Sequence, residues 1–567
     1  MSDQQNISSF IWNVADDVLR GLFKPHEYGQ IILPFTVLKR MDLIIEPHKE
    51  KILKLHKEWK SKSKNPEPII LSKIKLNFFN YSNYDFKKLS QDHQNIKKNF
   101  ENYLSRFSEN IYDVIENFEI KDHIKKLDKN DRLFILIEKF NSIDLSPEKV
   151  SNFEMGQIFE ELLRRFSEMA NETSGEHYTP RDVINLLVEL IFNPDKKKLQ
   201  NTPVVSLFDS CCGTGGMLTV GKEWFKKNFK DKIDPILFGQ ELNPETFAVC
   251  KGEMLITGED PENIRYGNSL SNDRFQNQKF QYMIINPPYG QSWKADLNFI
   301  KKESQKIEGR FNAGLPRTSD GQLLFIQHLI SKMDEEGSRI GIVTNASPLS
   351  VGEAESGESE IRKWIIENDM LEVVVGLPDE MFFNTGLQTF LWIITNKKTK
   401  ERKGKIQLLD GTSFYENLKR NLGNKRKVII QKNIDDIIKL YSDFKENKKV
   451  RILPNNFFEY KKVVSKIPLK ENGEVVKDKK GKIKFDKNKK DFEKIPFLVN
   501  IKEYFNKEVL PYAPETIFDE KKYKIGYEIN FNQFFYEFEN LRSVDEIQKD
   551  LDEINNKLKQ SLNDVFK

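Results

Sequence analysis

The stretch Ile284-Ile285-Asn286-Pro287-Pro288-Tyr289-Gly290 closes an apolar run that begins at Phe280. A short apolar run bounded by turn residues predicts a buried strand, so Asn286 is expected at the carboxyl end of that strand. Open α/β sheets bind their ligands in the crevice outside the carboxyl ends of their strands. The stretch therefore predicts a ligand site at one edge of such a sheet.

The two prolines stiffen the turn that carries Asn286, because each lacks an N–H and restricts the backbone around it. The carboxamide oxygen of Asn286 and the carbonyl of Pro287 are both acceptors, so together they can hold the two hydrogens of an amino group. Tyr289 offers a flat ring on which a planar group can stack. Such a site suits an amine on an aromatic ring or a planar amide. Its catalytic candidates are Asn286, Pro287, Pro288 and Tyr289.

Two further strands upstream also end in polar residues. Residues 204–209 form an apolar run of the buried parallel type, which leads into Ser210-Cys211-Cys212-Gly213-Thr214-Gly215-Gly216 and then a helical pattern. The glycines allow a tight turn and close approach of the backbone to a ligand, but their spacing matches neither the dinucleotide nor the P-loop fingerprint. The next strand, residues 236–241, ends in Glu241, which can accept hydrogen bonds from ribose hydroxyls. A charge at the start of the following helix explains Glu241 equally well.

Strands and helices alternate over residues 204–410, which predicts a doubly wound, mainly parallel α/β sheet with helices on both faces. Asp209, Glu241, Asn268 and Asn286 follow four of its strands at equivalent positions, as in a ligand crevice. Before the first strand, residues 175–181 precede an apolar helix, with Thr179 expected as N-cap and Pro180 in the first turn. Such a helix start can hold a carboxylate, although an ordinary capped helix has the same pattern.

The composition sets broad limits. The chain has 567 residues and a formal net charge of +4, which is too mild a balance to establish nucleic-acid binding by itself. Its three cysteines indicate neither a disulfide framework nor a metal site. No apolar run approaches the roughly 20 residues that cross a bilayer, and the start does not resemble a signal peptide. We therefore expect a cytoplasmic protein with no membrane segment and no metal.

Four regions are expected along the chain. Residues 1–168 have apolar positions at helical spacing and predict a helical N-terminal domain, followed by the α/β domain over residues 169–415. Residues 416–540 form a basic C-terminal region, expected to be helical or irregular. Its lysine-rich clusters are solvated faces or phosphate contacts. Residues 541–567 repeat apolar positions close to a heptad and predict a helix that needs a partner.

Taken together, these motifs resemble the modification subunit of type I restriction–modification systems, which is an S-adenosylmethionine-dependent DNA adenine-N6 methyltransferase. The Asn-Pro-Pro-Tyr motif is specific to amino-methyltransferases as a class. The type I assignment rests on the overall layout and on segments similar to family signatures at residues 12–21, 38–40, 377–382 and 525–529. The resemblance covers nearly the whole chain and implies a Rossmann-like class I methyltransferase fold.

The resemblance also implies a set of cofactor contacts. Glu241 would hold the ribose hydroxyls, Asn268 would lie near the cofactor's adenine, and the glycine loop would wrap its amino-acid part. Ser210-Cys211-Cys212 departs from the family, which often has Pro or Ala there. The full set of cofactor-binding candidates is Glu176, His177, Tyr178, Thr179, Pro180, Arg181, Asp209, Gly213, Thr214, Gly215, Gly216, Glu241 and Asn268.

The target and partners follow from the same resemblance. Asn286 and Tyr289 would serve an adenine that flips out of double-stranded DNA, because an amine inside the duplex cannot reach the pocket. A separate specificity subunit would choose the DNA sequence, with two modification subunits for each specificity subunit. The heptad helix at residues 541–567 is the candidate for docking to it. A restriction and translocation subunit is a further partner that the resemblance allows.

Two other functions remain open from the sequence. An N-methyltransferase acting on a protein glutamine could use the same motif, since a side-chain amide is held in the same way as an aromatic amine. The size, the helical N-terminal domain and the basic C-terminal region favour DNA. A non-catalytic DNA-binding scaffold is the second alternative, and the presence of Asp209, Gly213, Gly215, Glu241 and Asn286 in register disfavours it.

Overall fold

The computed structural model describes residues 3–170, 179–202, 204–230, 232–383, 385–471, 474–478, 480–481, 483–536 and 543–565. Residues 1–529 form one compact unit and residues 530–567 a second. None of the described helices combines the length and the apolar composition needed to cross a membrane.

The N-terminal part is helical, as predicted. Its apolar positions recur every three or four residues, and the resulting stripes meet in one core that runs from Ile11 to Phe166. The helices are α1 (Asp3–Leu19), α2 (Gly29–Ile45), α3 (Lys49–Trp59), α4 (Glu67–Ile74), α5 (Phe86–Leu89), α6 (Ile96–Leu104), α7 (Tyr112–Asn117), α8 (Ile120–Lys129), α9 (Leu133–Asn141) and α10 (Asn152–Ala170).

The central part contains a nine-stranded sheet with the order β11-β8-β6-β7-β5-β4-β1-β2-β3. The strands β7 and β11 run antiparallel to their neighbours, and the other seven are parallel to one another. Their bounds are β1 (Ser206–Asp209), β2 (Ile236–Glu241), β3 (Ile264–Tyr266), β4 (Tyr282–Ile285), β5 (Arg339–Thr344), β6 (Leu371–Gly376), β7 (Phe390–Thr395), β8 (Lys405–Asp410) and β11 (Val450–Pro454).

Helices cover both faces of this sheet. They are α11 (Arg181–Phe192), α12 (Lys196–Leu199), α13 (Gly216–Phe229), α14 (Pro244–Thr257), α15 (Leu297–Ser304), α16 (Gln322–Ser331), α17 (Ser347–Ser350), α18 (Gly357–Glu367) and α19 (Gln431–Asp443). Successive residues of a strand point to opposite faces. Leu207 of β1 packs under Gly221 of α13, whereas Phe208 faces the ring of His328 in α16. The predicted doubly wound sheet is therefore confirmed.

The N-terminal helices pack directly onto the sheet domain through α14. Ala248, Val249 and Leu255 of this helix belong to the same core as the N-terminal helices. The buried ammonium of Lys251, also on α14, pairs with Asp113 of α7 at 2.8 Å. Because α14 follows β2, this packing fixes the N-terminal helices beside the glycine loop and Glu241.

The C-terminal region requires a correction to the expected helical or irregular structure. A two-stranded hairpin, β9 (Glu416–Leu422) and β10 (Lys425–Val428), follows β8, and β11 extends the main sheet. Beyond it, β12 (Glu459–Pro468) pairs antiparallel with β15 (Phe485–Pro496) and β16 (Tyr523–Tyr527). A short hairpin, β13 (Lys470–Glu471) with β14 (Glu474–Val475), and α20 (Ile501–Tyr504) complete this region. Its lysine-rich strands lack a strong local signal because strand formation depends on the paired neighbour.

The second unit contains the predicted C-terminal helix. Helix α21 spans Val544–Val565. The heptad positions described for it are exposed, with Leu551 and Leu558 retaining 50% and 59% of their accessible surface. An amphipathic helix with an exposed apolar seam agrees with the expected need for a partner.

The aromatic packing beneath β1 and β4 gives a stability prediction. Phe280 is fully buried, stacks on Phe208 with ring centroids 4.2 Å apart and contacts Phe238 and Phe275. Phe280→Ala leaves a cavity there and is expected to destabilise the protein by about 3–5 kcal/mol, seen as a lower thermal midpoint in calorimetry. Phe299→Ala is the matched control, because Phe299 is 44% exposed. Equal midpoints for the two variants would contradict the packing role.

Candidate functional site

The carboxamide of Asn286 is held at both ends where β4 meets the proline turn. Its Nδ2 donates to Thr179 Oγ1 at 2.8 Å, and the hydroxyl of Tyr289 donates to its Oδ1 at 2.5 Å. The first contact reaches across 107 positions of sequence to the segment before α11. These bonds fix the plane of the amide, so its oxygen and nitrogen have defined directions.

Tyr289 is half-buried beside the sheet edge. Its ring meets Phe382 edge-on, with centroids 6.4 Å apart, and burial raises the pKa of its hydroxyl well above the ordinary value. The tyrosine therefore stays protonated and can donate its hydrogen bond to Asn286. Phe382 belongs to the segment 377–382, which is one of those similar to family signatures. The structure thus brings this segment to the proline corner, the turn formed by residues 286–289.

The start of α11 differs from the expected capping. Pro180, with φ −57° and ψ 137°, is the N-cap residue, and the first helical residue is Arg181. Thr179 therefore lies one residue too early to cap the helix, and its hydroxyl is used by Asn286 instead. The extended ψ of Pro180 keeps this residue out of the helix, so the helix begins one residue later than the sequence predicts. Glu176, His177 and Tyr178 lie outside the described residues.

Arg181 is engaged within the chain. Its Nε donates to both carboxylate oxygens of Glu160, at 3.0 and 2.8 Å, and this acid lies on α10. A second acid, Glu253 of α14, is buried nearby, and burial raises its carboxyl pKa to about 8. The guanidinium opposes that rise and Glu160 adds to it. The cluster joins α10, α11 and α14 behind the glycine loop.

The glycine loop between β1 and α13 needs its glycines. Gly213 and Gly215 have φ values of 53° and 88°, in the left-handed region that glycine adopts without strain. A Cβ on Gly215 would also lie 2.9 Å from the sulfur of Cys250. The loop is tied to β2 by Glu241, whose Oε2 accepts from the Gly213 amide at 2.8 Å. Its Oε1 accepts from the Asn243 amide at 2.7 Å.

Asp209 closes β1 as a fully buried acid. Its Oδ1 accepts a hydrogen bond from the amide of Cys211 at 2.9 Å. Burial raises the pKa of its carboxyl to about 8, and the nearby Glu241 carboxylate adds to the shift. In a neutral solution Asp209 therefore holds a proton for most of the time, and it shapes the turn more than it supplies charge.

Two adjoining cavities lie along the carboxyl edge of the strands, and both are lined by Cys211. The smaller, of about 40 Å³, brings Asn286 and Thr179 together with the glycine loop. The larger, of about 370 Å³, lies between Glu241, Asn268 and Pro288. The smaller cavity also gathers the predicted residues Asp209, Gly213, Thr214 and Gly216.

Several lining residues of the larger cavity were not predicted. Leu242, Gln291 and Phe325 line this cavity together with Glu241 and supply apolar and amide surface. Leu242 could be recognised in the sequence, because an apolar residue directly follows the acid that ends β2. In the structure this leucine is 55% exposed. Phe325 had no such signal, because it comes from α16, whose approach to this edge is set by packing against the sheet.

Asn268 lines the larger cavity but uses its side chain within the chain. Its Oδ1 accepts from the amide of Leu270 at 2.9 Å, and its Nδ2 donates to Asp296 at 3.1 Å. This is the pattern of an Asn that stabilises a turn. The residue therefore shapes the cavity wall through the backbone that it holds.

Comparison with family models finds two matches. The model described as N-6 DNA Methylase matches residues 151–490, which is more than half of the chain. The model described as HsdM N-terminal domain matches residues 7–140, the helical part that packs on α14.

Named relatives are type I restriction enzyme methylase subunits. The chain is 26% identical over 515 residues to the MjaIX subunit of Methanocaldococcus jannaschii, covering 87% of this chain and 86% of that one. It is 27% identical over 291 residues to the HindI subunit of Haemophilus influenzae, covering 50% and 59% of the two chains. In fold, it is similar to the crystal structure of a type I restriction–modification methyltransferase subunit from Streptococcus thermophilus. That match has a TM-score of 0.62 and 20% identity, and it covers 80% of this chain and 96% of that one.

The raised pKa of Asp209 predicts a pH dependence. The folded protein keeps a proton on this carboxyl between the ordinary value of 3.8 and about 8, whereas the unfolded chain releases it. The free energy of unfolding of the wild type should therefore fall as pH rises through that window. Asp209→Asn keeps an acceptor for the Cys211 amide but cannot ionise. Across that window, the free energy of unfolding of the variant should rise relative to that of the wild type by at least about 1.4 kcal/mol, which is the equivalent of one pKa unit.

Thermal midpoints measured in steps from about pH 5 to about pH 8 test this expectation. The control is Asp436→Asn, which changes an exposed acid of α19 and should follow the wild-type curve across the same window. If the curves of Asp209→Asn and the wild type stay parallel, Asp209 does not titrate as inferred.

Proposed function

We propose that this chain, which belongs to the N-6 DNA methylase family, transfers a methyl group from S-adenosylmethionine to the N6 amine of a flipped-out adenine in DNA. The family model and the named relatives together identify it as the modification subunit of a type I restriction–modification system. The observation that carries the residue assignments is the smaller cavity, where Asn286 and the glycine loop face one space.

The residues that line the two cavities match the chemical groups of the cofactor. Glu241 keeps acceptor capacity beyond its two backbone contacts, because each carboxylate oxygen has more than one lone-pair site, and it can receive ribose hydroxyls. Leu242, Phe325 and Pro288 provide apolar surface for a purine ring in the larger cavity. Gly213, Thr214 and Gly216 border the smaller cavity, and the backbone of this loop would hold the amino-acid part of the cofactor. When bound, S-adenosylmethionine supplies a methyl group already activated on sulfonium sulfur.

The protein's main task is then to orient the amine. The N6 lone pair of adenine is delocalised into the ring, which makes the amine a poor nucleophile. Asn286 Oδ1 accepts one hydrogen bond from Tyr289 and has a second lone pair for an N6 hydrogen. The carbonyl of Pro287 would take the other hydrogen. Two such bonds favour a tetrahedral nitrogen and direct its lone pair towards the smaller cavity.

Thr179 gains a defined role in this proposal. Its hydroxyl holds Asn286 Nδ2, so the amide oxygen faces the proline turn and the incoming amine. The same residue borders the glycine loop, and it would contact the cofactor as well. We infer that Thr179 is a positioning residue that links occupation of the cofactor cavity to the orientation of Asn286.

The adenine must leave the duplex to reach this corner. Unstacking and unpairing cost a few kcal/mol, which stacking on an aromatic ring and the two hydrogen bonds would offset. Tyr289 is the candidate ring, supported on its edge by Phe382.

The partners proposed are double-stranded DNA and a specificity subunit that selects the sequence, with two copies of this chain for each specificity subunit. A restriction and translocation subunit would join the same assembly in the cytoplasm. We retain residues 1–168, 169–415, 416–540 and 541–567 as functional regions, with the last of them as the docking helix. Its exposed seam of Val544, Ile547, Leu551, Ile554 and Leu558 favours that role.

Asn286→Ala is expected to lower methyl transfer at least about 100-fold, because it removes a positioned acceptor from the reacting amine. Isothermal calorimetry should show that S-adenosylmethionine still binds, and Asn286→Asp, which keeps an acceptor oxygen, should retain more activity than the alanine variant. Transfer of a radiolabelled methyl group is measured on unmethylated DNA and on total protein in parallel. Near-normal labelling of DNA by the alanine variant would refute the role of Asn286, and labelling of protein in place of DNA would favour a glutamine substrate.

Removal of residues 544–567 is expected to leave a folded, cofactor-binding chain that no longer co-purifies with the specificity subunit. A gentler variant, Leu551→Asp/Leu558→Asp, places charges on the exposed seam and should have the same effect. Lys549→Gln/Lys557→Gln on the same helix is the control that leaves the apolar seam intact. Continued tight association of the seam variant would rule out α21 as the docking element.

A further inference from the structure

The hairpin β9–β10 emerges at the same edge of the sheet as the proline corner. Strand β8 runs parallel to β6, and β6 runs parallel to β5 and β4 through their shared antiparallel neighbour β7. The carboxyl end of β8 at Asp410 therefore lies at the edge where Asn286 follows β4. The hairpin begins six residues later, at Glu416.

One strand of the hairpin is anchored to the wall of the site. The amides of Asn424 and Arg426 donate to the carbonyls of Phe383 and Glu380, at 2.7 and 3.0 Å. These carbonyls flank Phe382, whose ring contacts Tyr289. The backbone of β10 is thus joined to the segment that supports the proposed base-stacking residue.

A buried lysine reinforces this anchor. Lys425 is 4% exposed, and its ammonium donates to the carbonyl of Met381 and to Asp182 Oδ2, both at 2.9 Å. Asp182 lies in the first turn of α11, three residues after Thr179. An isolated two-stranded hairpin is marginal in water, so these contacts give it a fixed place beside the site.

The outer strand of the hairpin, β9, carries a bulge where it pairs with β10. Leu422 pairs with Lys425 and Asn417 with Lys427, so four residues of β9, 418–421, face the single residue Arg426. Lys419 and Arg420 lie inside this bulge and are exposed. Within the part of the chain that the structure describes, neither side chain has a hydrogen-bond or ion-pair partner. The cations of β10 differ, because Arg426 and Lys427 pair with Glu380 and Asp379.

We propose that the bulge of β9 binds the DNA backbone beside the flipped adenine, with Lys419 and Arg420 on phosphates. A bulge next to an active site re-aims side chains, and two exposed cations on an anchored hairpin suit a strand of regularly spaced anions. Phosphate contacts position a protein on the duplex without reading sequence, which fits a chain whose partner selects the site. This inference rests on the proposed function, since it needs DNA at the proline corner.

The test compares two variants in the complex of this chain with its specificity subunit. Lys419→Ala/Arg420→Ala removes the bulge cations, and Lys400→Ala/Lys403→Ala removes two exposed cations between β7 and β8. The second pair lies at the opposite edge of the sheet, because β8 begins there. The probe is an unmethylated duplex fragment that the wild-type complex methylates. Its dissociation constant is measured from about 50 to about 200 mM salt.

Loss of two phosphate contacts should reduce the slope of log affinity against log salt by about 1.8. The KM for DNA should rise in the bulge variant, whereas Lys400→Ala/Lys403→Ala should keep the wild-type slope. A second variant, Lys419→Gln/Arg420→Gln, removes both charges but keeps polar, hydrogen-bonding side chains, and it should reproduce the reduced slope. Unchanged cofactor affinity confirms in each case that the chain is folded.

Each remaining outcome overturns a specific idea. If the wild type methylates DNA and both bulge variants keep its salt slope, the phosphate contact is absent although the proposed function holds. If the bulge variants instead lose the specificity subunit, the hairpin binds protein and the inference fails. If the wild-type complex transfers no methyl group to DNA, the proposed function itself fails.

Discussion

The hydrogen bonds that hold the Asn286 carboxamide are the constraint on which the rest of the site depends. Thr179 and Tyr289 fix its nitrogen and its oxygen from opposite sides, one from the segment before α11 and one from its own proline turn. An amide that rotated freely would offer an amine either a donor or an acceptor. Held in this way, it presents an acceptor beside the glycine loop, which is the orientation that methylation of an amine requires.

A second constraint comes from the two acids beside the glycine loop, Asp209 and Glu241. Asp209 is held protonated by burial, while Glu241 is held by the amides of Gly213 and Asn243. Two carboxyl groups at neighbouring strand ends thus have different tasks, one in shaping the turn and one in accepting hydrogen bonds. Burial of charge is costly unless it is compensated, and Glu241 receives two backbone amides where Asp209 receives only that of Cys211.

The surrounding parts are fixed to this centre by long-range polar contacts. Lys251 ties α14 to the N-terminal helices through Asp113, and Lys425 ties the β9–β10 hairpin to α11 through Asp182. Both ammonium groups are almost fully buried and end in an ion pair, so each contact is specific in place. The glycine loop, the proline turn and the basic hairpin are therefore held in one arrangement around α11 and α14.

The sequence by itself determined the class of fold and predicted candidate site residues at the carboxyl ends of its strands. Asp209, Glu241 and Asn286 were predictable because apolar runs mark strands and because parallel strands present their carboxyl ends at a common edge. Only the tertiary structure decided that Thr179 holds Asn286 instead of capping a helix, that Phe325 walls the larger cavity, and that the lysine-rich C-terminal region forms strands. Each of these depends on contacts between residues distant in sequence, and local propensity carries no information about such partners.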